Sequence, residues 1–191
     1  ITVDSSSTFT NEVALQSDNG VTFNAAVNLT SGDISINADA DAAGGGTFTI
    51  DNLVTLTTNN QNAVIVADDM NLNTAGRINA AAGNVTITDS DGGGIGLGNT
   101  AVGLQLTGAE LQLIAVNDIT LNTTGSVTVN GITALNSGEI SGTLTISSNT
   151  TVTFATGASV FDVALVVQAD DGITVGVGLS TNTAGGTMTF N

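Results

Sequence analysis

Apolar and polar residues alternate along this chain in bursts of three. Val21-Thr22-Phe23, Ile34-Ser35-Ile36, Phe48-Thr49-Ile50, Val54-Thr55-Leu56 and Val85-Thr86-Ile87 come first. Leu104-Gln105-Leu106, Ile119-Thr120-Leu121, Val127-Thr128-Val129, Leu144-Thr145-Ile146, Val152-Thr153-Phe154 and Ile173-Thr174-Val175 follow. A period of two in β-branched residues marks half-buried strands. The gaps hold Gly, Asn, Asp and Ser, which tolerate the left-handed backbone of tight bends. Only Ala101–Val116 could hold a helical turn, and Gly103, Gly108 and its alternating leucines speak against one.

Strands this short and regular fit a β-sandwich, a barrel or a β-solenoid. The absence of proline favours the solenoid, because sandwiches usually carry some proline in loops and at strand edges. Internal echoes favour it too. Asp68–Gly83 resembles Asn117–Gly131, and Ala42–Ile50 resembles the segment 183–191. Asn24, Asn37, Asn73, Asn122 and Asn130 follow strands, where stacked amides can bond to one another from coil to coil. The expected fold is one all-β domain over residues 1–191, a right-handed parallel β-helix, either on its own or as one segment of a longer repetitive chain. A pilin-like β-sandwich subunit with strand donation is the alternative. Three strands per coil give about 20–28 residues per turn and roughly seven to nine turns.

Composition narrows the function. Seventeen carboxylates face a single basic residue, Arg77, for a net charge of −16. Nucleic acid and anionic membranes both need Lys and Arg to displace counterions, so neither is an expected partner. No apolar run reaches the roughly 18 residues of a spanning helix, and the longest, Val163–Val167, is at most a buried strand. The opening residues carry no charged-then-apolar leader, so a secretion signal is expected to be absent or already removed. With no His, Cys, Lys, Trp or Tyr, the chain lacks the aromatic platforms and imidazole or basic groups of saccharide-cleaving β-helices, and no enzyme is expected. Thr-x-Thr motifs occur at irregular intervals, which argues against a flat ice-binding ladder.

Paired aspartates are the candidate chemistry: Asp39/Asp41, Asp68/Asp69, Asp89/Asp91 and Asp170/Asp171. Calcium takes six to eight oxygen ligands, and paired Asp beside Gly-rich turns can supply them. Asp89, Asp91, Asp39 and Asp41 are the first choices, with calcium the one possible cofactor and divalent cations possible partners. Asp89-Ser90-Asp91-Gly92 opens like an EF loop but lacks its closing Glu, so solvated corner aspartates are the competing reading.

The block Asn84–Thr100 followed by Leu106–Val129 resembles the repeats of filamentous-haemagglutinin-like bacterial exoproteins, with Leu106, Thr107, Ala109, Glu110, Leu111 and Ile114 in the matching positions. The ending Gly185–Asn191 is similar to that family's strand-and-corner phrase. The resemblance implies a parallel β-helix in a secreted or surface-displayed adhesin or fibre protein, without catalytic residues in its repeats. Both ends of the chain read as strands, and an uncapped final coil presents unpaired backbone and apolar surface. Ile1, Val3, Thr187, Met188 and Phe190 are therefore expected to form a head-to-tail interface between copies. The expected role is the repeating subunit of an extracellular filament, sheath or surface layer, with the stalk of a secreted adhesin as alternative.

Overall fold

The computed structural model describes residues 1–182 and 186–191. The chain is all-β, with 49% of residues in strands and 4% in helix. The alternation read in the sequence sets the topology: through the first twelve strands every third one returns to the same sheet. The first sheet stacks β1 (Thr2–Val3), β4 (Val21–Phe23), β7 (Thr47–Ile50) and β10 (Asp69–Leu72). The second stacks β2 (Ser7–Phe9), β5 (Val27–Leu29), β8 (Thr55–Thr57), β11 (Arg77–Asn79) and β15 (Ile114–Ala115). The third runs the length of the molecule through β3 (Val13–Gln16), β6 (Ile34–Asn37), β9 (Ala63–Ala67), β12 (Val85–Asp89), β16 (Ile119–Thr123), β18 (Thr143–Ser148), β21 (Ala164–Ala169) and β24 (Met188–Phe190).

In the later half a fourth sheet, β13 (Ile95–Gly98), β17 (Val127–Asn130), β19 (Thr151–Phe154) and β22 (Gly172–Val175), takes over from the first. A short fifth sheet, β20 (Ser159–Phe161) and β23 (Leu179–Thr181), takes over from the second. Every pairing between these strands is parallel. A hairpin-built sandwich pairs its strands antiparallel, so the sandwich alternative does not match. The described residues thus form eight layers, most of them of three strands and the sixth of two, β17 and β18, an arrangement compatible with a β-solenoid.

Register keeps like residues in columns. Val13, Ile34, Ala63, Val85, Ile119, Leu144, Leu165 and Met188 are successive partners along the third sheet. Between its first and last members this column is fully buried, as a period of two requires when one face points inward. Four of the six Phe, at 23, 48, 154 and 161, are fully buried among Ile, Leu and Val, and Phe23 meets Phe48 edge-on at 5.4 Å.

Two expectations need correcting. The echo of Asp68–Gly83 in Asn117–Gly131 is not a structural repeat, because it sets β10 of the first sheet against β16 of the third. The echo of Ala42–Ile50 likewise sets β7 against β24 of the third sheet, and its members 183–185 lie outside the described residues. Both echoes reflect strand-and-corner wording common to all faces; true partners stand 20 to 36 residues apart.

The second correction is helical. Gly108–Leu111 forms one turn, α1, and Ala134–Ser137 another, α2. Around α1 the chain makes an excursion through β14 (Leu104–Leu106), which folds over the outer face of β13. That face must be flat, and Ile95-Gly96-Leu97-Gly98 makes it so. A Cβ on Gly96 would stand 3.0 Å from the Val102 carbonyl oxygen. Gly98 adopts φ +92°, and a Cβ there would collide with the Asn130 carbonyl.

Candidate functional site

An acidic chain with one base must satisfy its carboxylates with uncharged donors. Asn amides do part of this: Asn24 Nδ2 donates to Asp4 Oδ1 at 2.8 Å, and Asn73 Nδ2 to Asp51 Oδ1 at 3.2 Å. A longer ladder runs down the corner that leads into the third sheet. The Asn62 N–H donates to Asp33 Oδ1 (2.8 Å) and the Asn84 N–H to Asn62 Oδ1 (3.0 Å). Asn117 Nδ2 and the Asp118 N–H donate to Asn84 Oδ1 (both 3.2 Å), and the Thr143 N–H to Asp118 Oδ1 (2.7 Å). The stacking ladder thus lies before strands, whereas the sequence reading placed it after them. Just before a strand the backbone ladder has not begun, so the next layer's N–H lacks a carbonyl and a side-chain oxygen accepts instead. Of the five Asn expected there, Asn24 and Asn73 pair with aspartates. Asn37 accepts from the Asp39 N–H, and Asn130 from the Gly157 N–H.

The four aspartates chosen as metal ligands divide by burial. Asp41 and Asp91 are exposed, and each closes a local turn by accepting an N–H two residues on, from Ala43 and Gly93 respectively. Asp39 and Asp89 are 1% and 4% exposed. Asp39 Oδ2 accepts from Ser90 Oγ at 2.6 Å, across 51 residues of sequence. Asp89 Oδ2 accepts from Thr123 Oγ1 at 2.6 Å and the Gly94 N–H at 3.0 Å. The remaining oxygen of each, Asp39 Oδ1 and Asp89 Oδ1, is buried without a donor. Burial pushes the Asp89 carboxyl above the ordinary aspartate range; Thr123 and Gly94 pull it back, and neighbouring Asp91 pushes it further up. Among the described residues no three potential ligands converge to hold a metal ion. Being buried, neither Asp39 nor Asp89 can share a cation with a second copy.

Asp89 also belongs to an inward polar column that the sequence reading missed. It follows the last register pair with the next layer, Thr88 and Asn122, and meets Thr123 there, which is in register with Ser148; both hydroxyls are buried. Thr123 Oγ1 accepts the Gly125 N–H at 2.8 Å, and Ser148 Oγ donates to the Gly125 carbonyl at 2.7 Å. Parity was the available signal: Asp89, Thr123 and Ser148 each continue the inward positions of their strands.

The end layers are the second candidate. In the first layer β1, β2 and β3 are each the last strand of a sheet; in the eighth, β22, β23 and β24 are. The inward columns therefore end uncovered, with Met188 39%, Phe190 44% and Val175 49% exposed, and Ile173 and Leu179 partly so. At the other end Ile1 is 46% exposed, and Val3, Phe9 and Leu15 are half-buried. Val3, Met188 and Phe190, named above for a contact between copies, lie on the end layers. Thr187 is exposed just before β24, its carbonyl already taken by the Leu165 N–H. Val175, Leu179 and Phe9, not named from sequence, belong to the same surfaces.

The third candidate is a groove of about 770 Å³ where the excursion leans on β10. Its walls are built by carboxylates standing in for a neighbouring strand. Glu110 Oε1 accepts the Leu72 N–H at 3.1 Å, and Asp69 Oδ1 accepts the Gln105 N–H at 3.0 Å. Glu110 Oε2 also closes a capping box with Thr107, at 2.9 Å to its N–H and 2.8 Å to its hydroxyl.

Neither a family model, nor a curated protein, nor a solved structure matches this chain.

Proposed function

We propose that this chain is a structural protein: a right-handed parallel β-helix, of the kind found in filamentous-haemagglutinin-like exoproteins, that assembles head to tail into an extracellular filament, sheath or surface layer. The observation that carries this reading is the parallel register itself, which lets a further layer, from a second copy or from the same chain, add to either end layer by the pairing already used inside. Each offers three strand edges in the same parallel sense as every internal layer, and each leaves apolar inward side chains uncovered. The surface complementary to β22–β24 is β1–β3 of a second copy, because that junction repeats the pairing already used between layers. Such a contact is heterologous and need not close, so it propagates. Right-handedness follows the strong preference of parallel crossovers. The groups facing solvent, mainly Thr, Asn, Ser and Asp, suit a hydrated outer surface.

Negative-stain electron microscopy of the purified chain, at low and high salt and with and without a calcium chelator, tests the proposal. Filaments support head-to-tail assembly, and their loss on chelation assigns bridging cations to exposed carboxylates such as Asp41 and Asp91. Isolated rods about 35–45 Å long in every condition overturn self-assembly and leave the second reading, a segment of an adhesin stalk whose neighbouring layers come from its own chain.

A further inference from the structure

We propose that the groove beside α1 binds an uncharged, hydroxyl-rich ligand, a short saccharide. Its wall carries Arg77, the only basic side chain in the protein. Arg77 is exposed, and its guanidinium takes no ion-pair or hydrogen-bond partner among the described residues, although 17 carboxylates are available. Five planar N–H donors are thus left facing a concave surface. Around them stand Asn71, Asn73, Gln112 and Glu139, flat groups that offer adjacent donors and acceptors.

The backbone and two of the acids in the groove are already committed. Leu72 N–H is held by Glu110, and Asp69 holds the amides of Met70 and Gln105. An added peptide strand would have to displace these carboxylates, so the free recognition groups are side chains. Charge then selects the class. One guanidinium and three carboxylates (Asp69, Glu110, Glu139) line the groove within a molecule of charge −16. An anion meets repulsion from the walls and the whole surface, and among the described residues no three potential ligands converge to hold a metal cation. Vicinal hydroxyls both donate and accept without adding charge, so they can use Arg77, the amides and Glu139 together. Leu113, half-buried, and Ala109, exposed, supply a small apolar surface for a sugar's C–H face. The volume lies within the roughly 300–1,000 Å³ range of small-molecule sites. The chain's lack of Trp and Tyr excludes a stacking platform for saccharide cleavage, whereas this site depends on hydrogen bonds.

The test uses the full chain labelled with ¹⁵N, in which Arg77 provides the one guanidinium Nε–H resonance. The probes are a panel of neutral trisaccharides (maltotriose, cellotriose, chitotriose), with inorganic phosphate in parallel. The expected result is a saturable shift of the Arg77 Nε–H signal, and of the Asn71 and Asn73 side-chain amides, with at least one saccharide. That shift should be unchanged by raising salt, and affinity should fall at least about tenfold in Arg77→Ala. Arg77 is exposed on β11, so this variant should retain the parent's amide spectrum elsewhere; Asn71→Ala, also exposed, should weaken binding in the same direction. Saturation by phosphate but no saccharide, lost at high salt, overturns the proposal in favour of an anion site. Absence of any saturable shift across the panel overturns it outright.

Discussion

Asp89 shows how much one parity position can cost. It continues the inward series Val85, Ile87, Asp89, so its carboxyl must enter the interior wherever the strand goes. Thr123 and Gly94 satisfy one oxygen, while the other is buried without a donor beside Asp91. Its folded pKa lies above the unfolded one, so the folded state binds the proton more tightly. The resulting stabilisation is complete below the ordinary aspartate pKa of 3.8 and is lost as pH rises through the folded pKa. Asp89→Asn keeps an acceptor for Thr123 and Gly94 and removes the charge. At pH 7 this variant should denature at higher urea than the parent, with the gap closing as pH falls towards 4. A variant less stable than the parent at pH 7 would mean that ionised Asp89 has a compensating partner. The inward position of Asp89 was legible from alternation alone. Its donors were not, because Thr123 lies 34 residues away.

At the scale of elements, the strands were legible and the two helical turns were not. Strand alternation survives in the structure because one face of every layer is sealed by the layers above and below. The turn α1 was read as improbable because Gly103 and Gly108 lower helix propensity, yet Thr107-x-x-Glu110 is a capping-box spacing that outweighs propensity over a single turn. What the local sequence could not reveal is the second use of Glu110, the bond to Leu72 N–H from 38 residues away. Replacing Glu110 by Ala removes acceptors from Thr107 and Leu72 together. A loss of about 1–3 kcal/mol in chemical denaturation is expected, larger than a cap alone would give. Hydrogen exchange should rise at Leu72 as well as at Thr107; a rise confined to Thr107 would show that Glu110 serves only its own turn. The inward polar column and the groove belong to the same category of information. They depend on which layer meets which, and offsets that vary from 20 to 36 residues hide that from any fixed period.

For the whole molecule, burial and charge oppose one another at the ends. Stacking a second copy covers Val175, Met188 and Phe190 but brings two bodies of charge −16 together. Exposed charges are screened within about 8–10 Å at physiological salt. Assembly should therefore strengthen as ionic strength rises from about 0.01 to 0.15 M, as followed by light scattering. Phe190→Glu, at an already exposed site, should abolish it while leaving the monomer's melting temperature within a few degrees. Scattering that falls with added salt would point instead to attraction between opposite charges, which this composition scarcely allows. The composition made the charge side of this balance plain; the uncovered Val175 and Leu179 emerged only once register had assigned β22 and β23 to the last layer.

The parallel register also has a mechanical consequence. The hydrogen bonds between layers run along the stack, while the covalent chain circles within each layer and steps once to the next. Tension applied to the two ends therefore cannot shear a sheet as a unit; it peels the outermost layer while the rest holds. Each release frees the 20 to 36 residues between register partners, about 65–130 Å of extended chain. Optical-trap records should show a staircase of unequal rips in that range, with the longest step marking the excursion between β12 and β16. One rip releasing the whole contour would mean that the layers fail together. A body built this way would lengthen under load by sacrificing turns one at a time, and could rewind them when the load is removed.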